Sequence, residues 1–230
     1  MKTSTLNSKT AVLIFANSPE IDARRKGIQH GEELFENLNK NLIRKVKRSR
    51  LPYFISTEKT QKGQNFGERF YNAISNVFNS GYDQIITIGN DTPQLQTQHI
   101  LKAHKALIQN KTTLGSSADG GFYILGIHKK TFNDLDFKNL AWQTSQLFSQ
   151  IKSALEQLDS KVLCLETFND IDNVESLRQI QNFIHQISAQ IQGLISKLIK
   201  QFEFIFFNFL LSDFGIRANI PFNKGSPRLV

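Results

Sequence analysis

Short apolar runs rich in β-formers alternate along this chain with longer segments of helical period, and that alternation restricts the fold more than any single motif. AVLIFA (11–16) reads as a strand buried on both faces, and residues 31–48 place Leu34, Phe35, Leu38, Leu42 and Val46 on one helix face. LPYFIS (51–56) follows as a second strand, with Pro52 near its start, where a missing donor is tolerated. Residues 66–79 are helical by period, with Phe66, Phe70, Ile74, Val77 and Phe78 on one side and Gly81 placed to end the helix. QIITIG (84–89) is the third strand. A helix over 97–109, an extended TTLGS (112–116), an apolar strand GFYILGI (121–127), an amphipathic helix over 144–158, a strand KVLCLE (161–166) and a helix from Val174 onward complete the series. Parallel neighbours need crossover helices, so this order predicts an α/β fold, a three-layer α/β/α sandwich around a mostly parallel sheet.

The predicted organisation is a flexible N-terminus (1–9), an α/β domain (10–186) and an apolar helical tail (187–230). In the tail, Ile191, Leu194, Ile195, Leu198, Ile199 and Phe202 continue a helical stripe, and 204–211 is almost continuously apolar around Asn208. That run is far shorter than the ~20 residues a membrane span requires. A helix docked on the domain or on a second subunit is the first reading, and an interfacial membrane helix the second. The terminal FNKGSPRLV is expected to fray. MKTSTLNSKT carries no signal-peptide pattern, so the expected location is cytoplasmic, with peripheral membrane contact or a homodimer through the tail.

With 40% hydrophobic and 21% charged residues, the composition excludes wholesale disorder and fibrous structure. A single cysteine, Cys164, excludes an internal disulfide framework and multi-cysteine zinc sites; its place inside a predicted strand suggests a buried, inert thiol. The net charge of +8 resembles a nucleic-acid signature only while it is treated as a property of the whole chain. There are 13 basic and 6 acidic side chains before residue 66, and 15 and 14 from there on. One basic cluster, 44–50, falls at a helix end, where cations oppose the dipole. The other, Arg24-Arg25-Lys26, follows the first strand, where such sheets receive ligands. The distribution therefore argues for a small anionic ligand and against a nucleic-acid partner.

Four segments lie at the expected ligand edge: 17–27, 90–93, 117–121 and 167–173. Asp91, in Gly89-Asn90-Asp91-Thr92-Pro93, ends a buried strand; it either holds a divalent cation against a nucleotide's phosphates or caps the turn or the helix near Thr97. Asp119-Gly120-Gly121 either presents backbone amides to a ligand or makes an ordinary hairpin turn. Asp170-Ile171-Asp172-Asn173 either places carboxylates around a hard cation or caps the helix that follows. The five histidines show no metal-ligand spacing and read as surface or satisfied residues.

Taken in order, GNDTP, ADGGFYILGI, LAWQTSQLF and NDIDNVESL resemble a bacterial family of uncharacterised GT-A-like proteins often described as glycosyltransferases. These are related to nucleotide-diphospho-sugar transferases and to the guanylyltransferase of molybdenum-cofactor synthesis. The similarity runs over about residues 10–180. A family pattern Gly-Thr-Asp-Cys-Pro matches Gly89 to Pro93, which makes Asp91 the metal- and nucleotide-proximal aspartate. Glu-Asp-Gly-Gly-Tyr-Tyr matches Ala118 to Tyr123, keeping Asp119, Gly120 and Gly121 and losing the glutamate. Pro-Trp-Ser-Thr matches Ala141 to Thr144, keeping Trp142 and Thr144. Asp-Val-Asp-Thr matches Asp170 to Asn173, which makes Asp172 the second metal ligand.

In the family a loop like Lys-x-Pro-x-x-Gly-x-x-Lys-Thr-Arg follows the first strand. Here Pro19 is kept, Arg25 falls on the lysine, Asp22 replaces the glycine and Gly27 replaces the arginine, so a basic cluster remains with changed geometry.

The resemblance implies a GT-A-like domain and a metal-dependent glycosyltransferase with a nucleotide-diphospho-sugar donor. Asp91 and Asp172 would hold Mg²⁺ or Mn²⁺, and Asn17, Arg24, Arg25, Lys26, Asn90 and Asp91 would surround the nucleotide and its diphosphate. Asp119 would be the catalytic carboxylate, and Gly120, Gly121, Trp142 and Thr144 would contact the sugar or an acceptor. Trp142 is read first as a packing residue at the site rim and second as a stacking platform. The alternatives are a nucleotidyltransferase of the same fold, or a degenerate nucleotide-binding or scaffold protein with a membrane- or partner-binding tail.

Overall fold

A computed structural model describes residues 9–213. The expected flexible stretch up to Ser8 and the terminal FNKGSPRLV lie outside the described residues. Six strands form one sheet in the order β2 (Tyr53–Ser56), β1 (Thr10–Phe15), β3 (Gln84–Ile88), β5 (Phe122–His128), β4 (Thr112–Ser117), β6 (Val162–Phe168). The pairs β1–β2, β1–β3 and β4–β6 are parallel, whereas β5 runs antiparallel to both β3 and β4. Five strands therefore share one direction, and the fold is the mostly parallel α/β sandwich that the alternation predicts. The reversed strand follows from the short 118–121 connection, which is long enough for a hairpin and too short for a crossover.

The strands are apolar on both faces because helices cover both. On one face Ala11, Leu13, Ile85 and Ile127 pack with Phe70, Ile74 and Val77 of α3 (Phe66–Asn79) and with Ile151 and Leu155 of α6 (Leu147–Gln157). On the other, Val12, Ile14, Ile86 and Ile124 meet Leu42 and Val46 of α2 (Glu32–Ser49) and Ile100, Ala103 and Leu107 of α4 (Thr97–Ile108). Each apolar side chain withdrawn from water in this way contributes about 1.5–3 kcal/mol.

A third apolar cluster stands away from the sheet. Leu34, Phe35 and Leu38 of α2 pack with Leu177 and Ile180 of α7 (Val174–Gln181) and with Ile191, Ile195, Leu198 and Ile199 of α8 (Ala189–Asp213). The first turns of α8 are thus anchored to the same helix that covers the sheet. Farther along, Phe204, Ile205, Phe206 and Phe207 are exposed. Among the described residues no helix is long and apolar enough to cross a membrane.

Two local expectations change. Residues 17–27, read as a loop, contain the helix α1 (Pro19–Arg25), which has Pro19 in its first turn, acids Glu20 and Asp22 near its start and Arg24 and Arg25 at its end. Cys164, expected to be buried, is exposed, because β6 is an edge strand of the sheet.

Candidate functional site

The carboxyl ends of β1, β3 and β6 and the β4–β5 hairpin surround a cleft of about 470 Å³. Of the residues expected at the site, Asn17, Arg25, Lys26, Asn90, Asp91, Asp119, Gly121, Trp142, Thr144 and Asp172 line it. Arg24 points elsewhere, exposed on α1, and Gly120 lies behind the lining.

Lys26 is the centre of one wall. It is the residue at the C-terminal end of α1, where Gly27 takes a left-handed φ of +63° and lets the chain turn away. Its ammonium donates to Asp91 Oδ2 at 2.8 Å, to Asp172 Oδ1 at 3.1 Å and to the Ile171 carbonyl at 2.5 Å. Burial alone would lower the Lys26 pKa, but the Asp91 and Asp172 charges outweigh it and hold the lysine above its ordinary value.

Neither aspartate is occupied with capping. The helix after Asp91 is capped at Gln96, whose amide donates to His99 Nδ1, and α7 is capped by Asn173, whose side chain accepts from the Ser176 amide. The capping alternatives for Asp91 and for Asp170 and Asp172 therefore fall away, and both loops present their carboxylates to the cleft.

The backbone stitches these loops together, since the Ile171 amide donates to the Asp91 carbonyl at 2.9 Å. Asp170, beside them, accepts from the Thr92 hydroxyl and is also hydrogen-bonded to Ser117. Burial and the nearby Asp91 charge push its carboxyl up to about 7. Deeper in the wall, Asp22 accepts from Asn17 Nδ2 at 2.7 Å and from Asn90 Nδ2 at 2.7 Å, and Asn90 also donates to Asn39 Oδ1. Burial raises the Asp22 pKa, with the two amide hydrogen bonds opposing it.

The opposite wall is aromatic. The Phe70 ring meets those of Phe15, Phe122 and Trp142 at centroid distances of 5.2, 5.9 and 5.2 Å, and Trp142 also contacts Phe66. The Trp142 indole donates to the Phe137 carbonyl at 2.7 Å, so the ring is held at both ends. Gly67 makes room for it, because a Cβ there would lie 2.4 Å from the indole.

Asp119-Gly120-Gly121 is the β4–β5 hairpin turn, closed by the Ser117 amide donating to the Gly121 carbonyl. The Gly121 amide is spent on Asp119 Oδ1 at 2.9 Å, while the Asp119 carboxylate is exposed at the rim. Gly120, at φ +91°, packs so closely on Ser145 that a Cβ would meet its carbonyl oxygen at 2.1 Å.

Sequence reasoning did not assign Asp22, Phe66, Phe70 or Arg69 to the site, although all four line the cleft, as does Asp170 of the Asp-x-Asp pair. Asp170 was read with Asp172 as a carboxylate pair, of which only Asp172 was taken as a metal ligand, and Asp22 stood at the position where the family loop has glycine. For Phe66, Phe70 and Arg69 the helical stripe signalled packing and gave no hint of the cleft.

A mixed sheet of this order, with a cleft of carboxylates, cations and aromatics at its strand ends, defines an α/β sandwich that opens to ligands along one edge. The fold is shared with the crystal structure of a protein from Desulfovibrio desulfuricans G20 provisionally named a nucleotide-diphospho-sugar transferase, at a TM-score of 0.71 and 21% identity, covering 84% of this chain and 98% of that one. Residues 38–144 match the family described as an uncharacterized protein conserved in bacteria (DUF2064). That match spans the GNDTP and ADGGFYILGI motifs, and the resemblance drawn from the sequence holds at the level of the fold.

More distant matches are Rv0371c from Mycobacterium tuberculosis H37Rv in complex with manganese (TM-score 0.45, 10% identity, 75% of this chain and 97% of that one) and CMP:2-keto-3-deoxy-manno-octonic acid synthetase complexed with CTP (0.43, 10%, 78% and 99%). No curated protein matches this chain in sequence.

Proposed function

We propose that the cleft binds a nucleotide-diphospho-sugar and that the protein is a transferase acting on it, by glycosyl transfer in preference to nucleotidyl transfer. The observation that carries this reading is the pairing of an oxygen-rich, ion-bridged wall with an aromatic wall across one cleft at the strand ends. Arg25 and Arg69 line the cleft and would offset the charge of a diphosphate. Trp142, fixed by its indole hydrogen bond, offers a flat apolar face at the rim to a sugar or a base, with Thr144 beside it. Asp119, exposed on the hairpin, is placed to accept hydrogen bonds from sugar or acceptor hydroxyls as the catalytic carboxylate, with the Gly120-Gly121 turn setting its position.

The donor set suits a hard divalent ion. Asp91 Oδ2, Asp172 Oδ1 and the Ile171 carbonyl are all oxygens and converge on one point, the Lys26 ammonium. Among the described residues no three His, Cys, Asp or Glu side chains gather around a common point, so the carbonyl and the ligand's phosphates would complete the coordination of Mg²⁺ or Mn²⁺. Such an ion supplies Lewis-acid neutralisation of the diphosphate.

A second reading, nucleotide binding without turnover, is favoured by Asp22, which stands where the family loop has glycine and is consumed by Asn17 and Asn90. Calorimetric titration of a panel of nucleotide sugars and nucleotides, with and without Mn²⁺, tests the proposal. Metal-dependent binding of a nucleotide sugar followed by transfer or hydrolysis supports the transferase, binding alone supports the second reading, and no binding overturns both.

A further inference from the structure

The two aspartates best suited to a metal ion already hold a cation, and that cation belongs to the chain. The Lys26 side chain is only 13% exposed, and each of its three hydrogen-bond acceptors is an oxygen from one of two loops, those after β3 and β6. These loops are also joined by contacts that do not involve the lysine. The Ile171 amide is bonded to the Asp91 carbonyl, Ile171 is completely buried, and Thr92 ties one loop to the other through Asp170. The backbone that carries the three oxygens is therefore held by bonds that do not involve the ammonium.

We propose that Lys26 is a tethered cation that competes with a divalent ion for the Asp91, Ile171 and Asp172 oxygens, so that metal enters the cleft only by displacing it. The proposal rests on the reading of this cleft as a cation-assisted nucleotide site, and it deepens that reading by making metal occupancy conditional on the movement of one side chain. A lysine is a compact, single-point cation on a flexible stem, so it can fill an ion's place and also swing aside. Displacement would free its charge for the anionic ligand that arrives with the metal.

Competition of this kind lowers apparent affinity by the fraction of molecules in which the three oxygens are free of the ammonium. If the ammonium is seated in nine molecules of ten, its removal strengthens metal binding by about tenfold. The test uses Mn²⁺ alone, followed by the electron paramagnetic resonance of the free ion, on the wild-type chain, Lys26→Met, Lys26→Gln and the double variant Lys26→Met/Asp91→Asn. Glutamine keeps a polar hydrogen-bonding end without charge on a stem one bond shorter, so it serves if the methionine variant fails to fold. Both single variants are expected to bind Mn²⁺ about tenfold more tightly than the wild type, with the gain lost in the double variant. A lysine with only a structural role would leave Mn²⁺ affinity unchanged. Equal affinity in wild type and both variants, or a gain that survives Asp91→Asn, overturns the proposal. Because no nucleotide is present, failure of the nucleotide panel and failure of this measurement are separate outcomes.

Discussion

The two walls of the cleft are built from different physics. The aromatic wall is held by shape: Phe70 is 4% exposed and touches rings from β1, β5 and the segment carrying Trp142, so its geometry is set by close packing. The carboxylate wall is held by charge pairing: the Lys26 ammonium bridges Asp91 and Asp172, while Asp22 leans on two amides. A packed wall answers to side-chain volume and ignores ions, whereas a charge-paired wall changes when a cation or an anion arrives. The cleft therefore pairs a fixed template with an adjustable one, an arrangement suited to a ligand with one apolar end and one anionic end.

Phe70→Ala breaks the contrast most severely. It should cost about 3–5 kcal/mol by deleting the ring at the hub of the aromatic wall, and equilibrium denaturation should give the same loss with or without Mn²⁺. A Mn²⁺-dependent loss would show that the walls are not independent. Gly120→Ala should cost about 2–3 kcal/mol, since it combines a left-handed φ with a Cβ driven into the Ser145 backbone.

Lys26→Met is expected to lower stability by about 1–2 kcal/mol, a value reduced because Asp172 is 47% exposed and screened by water. Added Mn²⁺ should restore part of that loss in thermal unfolding, which it should not do for Phe70→Ala.

Lys45 sharpens the comparison from outside the cleft. It is a half-buried lysine that donates to the Pro93 carbonyl at 3.0 Å with no ion-pair partner among the described residues, and burial pushes its pKa down to about 8. Its folded value lies below the unfolded one of 10.5, so between about pH 8 and 10.5 the unfolded chain binds more protons and stability rises with pH. Lys45→Met should flatten that rise, with a net change near neutral pH within about 1 kcal/mol, because the lost desolvation penalty is opposed by an unsatisfied carbonyl. An unchanged pH slope would refute the assignment. The smallest effect is expected for Asp119→Asn, whose exposed side chain should move stability by less than about 0.5 kcal/mol while reducing any transfer activity.

Much of the architecture is legible in the sequence because it is local. The stripe Leu34, Leu38, Leu42, Val46 and the run at 11–14 declare their period and burial without reference to the rest of the chain. The reversal of β5 is harder to read, since an Asp-Gly-Gly turn suits either a hairpin or a ligand loop and the choice depends on which strand edge is free. Cys164 shows the same limit: an apolar run signals a strand, but position at the sheet's edge is a property of the whole topology. The segment 17–27 carried helix signals in Pro19, Glu20 and Asp22 that its place after a strand obscured. Asp91 and Asp172 were visible as candidate metal ligands, but their actual cation was not. Lys26 is 65 and 146 residues away from them in sequence, and only folding brings the three together.

The hydrogen bond from the Ile171 amide to the Asp91 carbonyl also bears on how the cleft can move. It joins the loops after β3 and β6, so parting them to admit a ligand would cost this bond in addition to the Thr92–Asp170 one. The Ser145 contact likewise couples the β4–β5 hairpin to the segment beside Trp142. Each pair of segments is thus tied within itself, and the amide of Ile171, buried and bonded across two loops, should exchange slowly with solvent.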